Sequence, residues 1–278
     1  MKERYLAVNA DDFGLDKQIN RGISESFRNG ILTSVSLVAN GNAFLEALDE
    51  IKKHPGISAG VHLCLVGEKA LLPREKVPSI VDGDGFLAKD FLHLLCKIYS
   101  GKADLSEVRN ELRAQIEMVL DNGITPTHLD SHQYTHVIPA VFNIVLSLAR
   151  QYNIKWIRHP YRFGAITRVS LKAHAKKIYF SLFCARQHTA LLKNGIACAD
   201  FSCGILSSGC LNEESARDIL EGMRPGFTDI TCHPGYAPED KRYRAWDYHW
   251  EDELRLLVSG ETRALAERLN IKLVNYAD

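Results

Sequence analysis

The chain alternates short apolar runs with longer amphipathic stretches. Tyr5 to Asn9 is a compact apolar run and reads as a buried strand. Asp16 is placed to cap a helix whose apolar positions Ile19, Ile23 and Phe27 recur every fourth residue, and Gly30 follows as a stop. Ser34–Val38 reads as a second strand, Phe44, Leu45, Leu48 and Ile51 as a second helix ending near Pro55-Gly56, and Ile57–Leu63 as a third strand. An excursion over 66–104 then carries Pro73, Pro78 and the turn-rich Asp82-Gly83-Asp84-Gly85. Beyond it, Val108, Leu112, Ile116 and Val119 mark a helix, Thr127–Asp130 starts a strand, Val141–Ala149 is a helix and Trp156-Ile157 a strand. A helix spans about 171–193, strand candidates lie at 197–201, 228–232 and 272–275, and helices lie near 213–222 and 251–268.

This makes about eight strands separated by helices, which implies parallel pairing and right-handed crossovers. A βα barrel is the first expectation and an open doubly wound sheet the second. With no repeat and no linker, residues 1–278 are expected to form one domain, with 66–104 as a βα-loop insertion able to wall a pocket.

Composition changes this picture little. The chain has 278 residues, 46% apolar and 24% charged, with 34 Lys plus Arg balancing 34 Asp plus Glu. No global basic footprint for nucleic acid is present. Locally, Arg168, Lys172, Lys176, Lys177, Arg186 and Lys193 share a stretch with no acid, which reads as a solvated face or as a surface for peripheral membrane contact. The seven cysteines lack a repeated spacing. The first residues resemble no signal peptide, and no apolar run reaches the ~18 residues of a membrane span. A cytoplasmic protein with reduced thiols is expected; a homodimer is compatible with the sequence.

The informative fact is where the ionisable groups fall. Asp11 and Asp12 follow strand one, His62 sits near the end of strand three, His128-x-Asp130-x-His132 begins on the next strand, and His233 ends a late one. In a barrel those C-terminal strand ends converge on one face. Adjacent Asp11 and Asp12 cannot point the same way on an extended chain, so one can bind a cation while the other handles a proton, or the pair can cap the helix that follows. His128, Asp130 and His132 share one side of a strand, where unpartnered polar groups are costly and a metal ion would relieve them; an exposed strand end is the alternative. His136 is placed to line the pocket. His62 and His233 could each be a hydrogen-bonded core histidine, but two histidines and a carboxylate are a sound ligand set for a catalytic ion.

With these segments in view, Asn9-Ala-Asp-Asp-Phe-Gly14, Gly60-Val-His-Leu63, Thr127-His-Leu-Asp-Ser-His132 and Cys232-His-Pro-Gly235 resemble the YdjC-like carbohydrate deacetylase family, in order from residue 5 to about 276. The resemblance implies a single-domain distorted TIM-like (β/α) barrel and one divalent metal ion, Mg or Zn, on Asp12, His62 and His132. It further implies Asp11 as general base, His233 as general acid, and removal of the N-acetyl group from an N-acetylated amino sugar. His128, Asp130, Tyr134 and His136 are then expected around the substrate. Gly195–Gly204 and Ser208-Gly209 resemble the subgroup associated with hopanoid biosynthesis, which implies a lipid-linked N-acetylglucosamine. Tyr134 departs from the family, which often carries His there; the ligand set is unaffected, but substrate preference is open. Another metal-dependent hydrolysis, of a phosphoester or cyclic amide, and a non-catalytic sugar- or metal-binding role are the alternatives.

Overall fold

A computed structural model describes residues 3–164 and 171–278, with the backbone alone for 171–176 and 182. Arg168 of the basic stretch, and the side chains of Lys172 and Lys176, lie outside the described residues.

The strands appear close to the predicted apolar runs, except that the one expected at 197–201 lies at 201–203 and Ala197 makes only an isolated bridge. They are β1 (Arg4–Phe13), β2 (Ser34–Leu37), β3 (Ser58–Leu63), β4 (His128–Ser131), β5 (Trp156–Ile157), β6 (Phe201–Cys203), β7 (Gly226–Cys232) and β8 (Ile271–Leu273). The pairing is parallel throughout, in the order β5-β4-β3-β2-β1-β7-β6, with β8 joined to the start of β1. The sheet curls into a half-barrel. Its two edges are linked by single bridges, Trp156 to Ala197 and Phe163 to Ser202. Closure by isolated bridges in place of full ladders is what distorts the TIM-like barrel.

Helices cover the outside, as parallel crossovers require. They are α1 (Lys17–Asn29), α2 (Phe44–Lys53), α3 (Phe91–Tyr99), α4 (Leu105–Asp121), α5 (Pro139–Gln151), α6 (Leu171–Lys193), α7 (Glu213–Glu221), α8 (Lys241–Arg244), α9 (Trp250–Val258) and α10 (Gly260–Arg268). Asp16 caps α1 through a 2.8 Å bond from the Gln18 amide, and Ile19 and Ile23 are fully buried against the sheet. The stretch predicted as one helix over 251–268 is two. The chain is extended at Ser259, whose hydroxyl caps the second helix at the Glu261 amide. Within 66–104 the turn-rich sequence conceals α3, whose N-cap Asp90 accepts from the His93 amide at 2.8 Å.

The largest departure from expectation is β1. It runs on through Asp11 and Asp12 instead of ending at Asn9, and its pairing with β2 shifts between Ala10 and Phe13. Asp12 takes a left-handed φ of 66° at this bulge. That conformation suspends strict alternation, so two adjacent carboxylates both reach the C-terminal end of the barrel.

Candidate active site

The strand ends deliver the groups to one cavity of about 740 Å³. Its floor carries Asp11 from β1, His62 from β3, His132 just after β4 and His233 just after β7. After His132, Gln133 and Tyr134 are both left-handed, at φ 53° and 56°. The sharp turn brings Tyr134 to the cavity wall, with its hydroxyl 2.8 Å from Thr231 Oγ1.

Asp12 is the centre of the polar floor. Its Oδ1 lies 3.0 Å from His132 Nδ1 and 3.5 Å from His62 Nε2. Its Oδ2 is buried and has no hydrogen-bond partner. Burial alone would raise the pKa of Asp12, but His132 and then His62 outweigh it and bring it to about 2. Burial likewise pushes His62 down, but Asp130 and Asp11 reverse this and raise it to about 9. The two shifts are complementary: the imidazoles favour the Asp12 anion, and the carboxylates favour a cation at His62. The His62 Nδ1–Asp130 contact of 2.8 Å fixes which nitrogen faces Asp12, as a carboxylate behind a ligating histidine does. One ligand atom from each of Asp12, His62 and His132 lies within 4.8 Å of the others. An orphaned carboxylate oxygen, a preset imidazole and a mixed N and O donor set fit a divalent ion.

A second grouping, Asp11 with His62 and Asp130, meets the same distance criterion. There the cation is already supplied. Arg158, which follows β5 and is 2% exposed, donates through Nη1 to Asp11 Oδ1 at 2.5 Å and also to Asp130 Oδ2. Its Nη2 donates to Tyr134 at 3.1 Å and to Thr231, and its Nε lies 3.6 Å from Asp229. Asp11 Oδ1 also accepts from Asn9 Nδ2 at 2.9 Å. Asp11 is therefore held by one oxygen and lines the cavity without belonging to the Asp12 grouping.

The four residues expected around the substrate separate. Tyr134 lines the cavity, whereas His128, Asp130 and His136 lie buried beneath it. His128 bonds Ser36 Oγ and Thr127 Oγ1, each at 3.0 Å, and its ring fills the space a Cβ on Gly60 would need. His136 bridges Ser131 Oγ at 2.6 Å and the Arg158 carbonyl at 2.8 Å. Burial lowers the pKa of His128 to about 3 and of His136 to about 4, so both are neutral props. The i, i+2 alternation is real, but on this short strand it aims His128 and Asp130 into the barrel, not at the cavity.

His233 is 5% exposed, and its Nδ1 makes no hydrogen bond but lies 4.0 Å from Glu253 Oε2. Its backbone amide donates to Glu253 Oε2 at 2.5 Å. Glu253 is fully buried, and burial pushes its carboxyl up to about 8 despite the His233 and Leu211 amides it receives.

Arg158, Trp246, Tyr248 and Glu253 were not singled out from the sequence. Arg158 had a usable signal, since it directly follows a strand of the same sheet, as His233 follows β7. The cavity is completed by Trp246 and Tyr248 on one side and by Phe91, Leu92 and Leu95 of α3 with Tyr179 and Phe180 of α6 on the other. Among the described residues, the seven cysteines are free and no helix is long and apolar enough to cross a membrane.

This arrangement can be set beside known proteins. Residues 5–268 match the family model described as YdjC-like protein. A carbohydrate deacetylase of Thermoanaerobacter pseudethanolicus is 30% identical over 276 residues, 99% of this chain and 98% of that protein. A chitooligosaccharide deacetylase of Yersinia enterocolitica is 27% identical over 279 residues, 99% of each. A crystal structure from Enterococcus faecalis, described as a proposed cellobiose-phosphate cleavage protein, aligns with a TM-score of 0.77 at 28% identity over 99% of this chain and 98% of that one. The family match runs through every strand but the last, and on it the chain belongs to the YdjC-like family.

Proposed function

We propose that the protein is a metal-dependent hydrolase that removes the N-acetyl group from an N-acetylated amino sugar, giving acetate and a free amine. The observation that carries this reading is Asp12, whose Oδ1 meets His62 and His132 while its buried Oδ2 has no hydrogen-bond partner, beside a separately held Asp11. A ligand set with an independent carboxylate next to it suits hydrolysis, because binding alone needs no base. The relatives named as carbohydrate and chitooligosaccharide deacetylases support the same chemistry.

Asp12, His62 and His132 would hold one divalent ion, with Mg and Zn as the first candidates. Such an ion, when bound, supplies positive charge that polarises an acetyl carbonyl and makes a water more acidic. Asp11 takes a proton from the water that attacks the carbonyl carbon. Arg158 and Asn9 occupy its Oδ1, which leaves Oδ2 for this step. His233 delivers a proton to the amine as the C–N bond breaks. Burial lowers the pKa of its imidazole, so once protonated it gives that proton up readily. Tyr134 helps to shape the pocket around the acetyl group.

The substrate is an oligosaccharide or a glycolipid. The apolar side of the cavity favours the glycolipid, of which a hopanoid-linked N-acetylglucosamine is the case the sequence resemblance names. Leu92 and Ile178 are exposed on α3 and α6, which supports peripheral membrane contact there. Mass spectrometry of free and lipid-linked N-acetylated amino sugars after incubation with metal-loaded protein tests the reading. Loss of one acetyl group is expected. Release of phosphate from a phosphoester, or binding without any loss of acetyl, would replace it.

A further inference from the structure

The segment after β7 builds a second feature of the cavity that the reaction itself does not use. Trp246 and Tyr248 line it as one continuous aromatic wall, with ring centroids 5.6 Å apart. The wall reaches both ends of the reacting set. Trp246 lies 5.0 Å from the His132 ring, tilted by 33°, and Tyr248 lies 4.9 Å from the His233 ring.

The wall is also fixed before any substrate arrives. On its N-terminal side, Tyr243 donates to Glu68 at 3.0 Å, and Arg242 donates to the Gly67 carbonyl at 3.2 Å. These bonds tie α8 to the start of the insertion. On its C-terminal side, the His249 amide donates to the Gly209 carbonyl at 2.7 Å. Gly209 takes a φ of 74°, and a Cβ there would come within 2.2 Å of the Tyr248 ring. Tyr248 therefore packs face-on against bare backbone, and only glycine leaves it room. Trp250 supports both rings from behind, at 6.2 Å from Trp246 and 5.0 Å from Tyr248.

We infer that Trp246 and Tyr248 are the pre-formed platform on which the pyranose ring of the substrate stacks. The inference rests on the deacetylase reading and adds the place of the sugar to it. The carbonyl is acted on at the Asp12, His62 and His132 end, and the amine that leaves is the one His233 faces. The ring carbon bonded to that amine must lie one bond further out, and the surface there is the Trp246–Tyr248 wall. A pyranose offers flat patches of C–H, which suit an aromatic face, while its hydroxyls at the rim keep their hydrogen bonds. Large, rigid aromatic side chains provide such contact area at low entropic cost. The Trp246–Tyr248 pair thereby selects cyclic amino sugars over open-chain acetamides.

The test is steady-state kinetics and calorimetric binding of N,N'-diacetylchitobiose to metal-loaded wild type, Trp246→Ala, Trp246→Phe and Gly209→Ala. Trp246→Ala should raise KM and Kd at least tenfold, a larger change than any in kcat, the pattern of lost ground-state binding. Trp246→Phe should recover most of that loss. Gly209→Ala, which touches the sugar only through Tyr248, should raise KM in the same sense. An unchanged KM and Kd in Trp246→Ala, or a fall in kcat alone, would overturn the platform. Wild type that binds the sugar but releases no acetate would overturn the deacetylase reading, and the Kd of Trp246→Ala against wild type would then decide the platform on its own.

Discussion

Replacing Arg158 with Met is the sharpest test of how the floor of the site is held together. Met keeps much of the length of the side chain and removes the cation. In the native protein one guanidinium, 2% exposed, donates to Asp11, Asp130, Tyr134 and Thr231 and lies near Asp229. Burial pushes Asp130 up, yet His62 and Arg158 together keep it well below the usual carboxylate range. Breaking a buried pair by removing one partner typically costs about 3–5 kcal/mol, because the other charge is left buried and uncompensated. Here Asp11 loses its cation while Asp130 keeps His62 at 2.8 Å, which puts the expected loss within that range against a total stability of roughly 5–15 kcal/mol. Without the guanidinium Asp130 binds protons more tightly in the native state. The deficit should therefore be full at neutral pH and shrink as pH falls toward 4. Urea unfolding followed by circular dichroism at pH 7.5 and pH 4.5 measures both, and Arg158→Lys should fall in between. A loss below about 1 kcal/mol at neutral pH would refute the view that Arg158 is the counter-ion of the floor.

Asp11→Asn should keep metal content at the wild-type level and lower kcat by about 10²–10⁴, checked by atomic absorption beside acetate assay. His132→Ala should lose both the ion and turnover, since it removes one of three donors; a variant that still carried stoichiometric metal would move the ligand set elsewhere. His128→Gln should change the pH dependence of stability. His128 has its pKa depressed to about 3, so its contribution is present above the unfolded value near 6.5 and is lost as pH falls from there toward 3. Between pH 6 and 4 the stability of the variant should therefore fall less steeply than wild type by about 1.4 kcal/mol per pH unit, the slope of one proton.

The sequence conveyed the fold through two periods. Apolar runs such as Tyr5–Asn9 and Ile57–Leu63 located strands, and fourfold spacings such as Ile19, Ile23 and Phe27 located the helices outside them. It conveyed the floor of the site because Asp12, His62, His132 and His233 all lie at strand ends, a position readable before any coordinates. What it concealed was of three physical kinds. The left-handed turn at Asp12 depends on the bulge against β2, so the direction of each carboxylate in the Asp11-Asp12 pair was not a local property. The short β4 aims His128 and Asp130 inward, which alternation alone could not distinguish from outward. Trp246, Tyr248 and Arg242 act through partners as distant in sequence as His132, Gly209 and Glu68, so no spacing rule marks them. Arg158 is the exception, since a charged residue directly after an apolar strand was open to the same positional argument as the histidines.

The claim on which everything else turns is that Asp12, His62 and His132 hold an ion that Asp11 and His233 use to release acetate. Its most direct measurement is acetate formed from N-acetylated amino sugar by protein stripped with chelator and then titrated with Mg or Zn. The expected result is no acetate from the stripped protein, recovery that saturates at one ion per chain, and equal amounts of acetate and free amine. Full activity in the stripped protein, or saturation with no acetate, would contradict it.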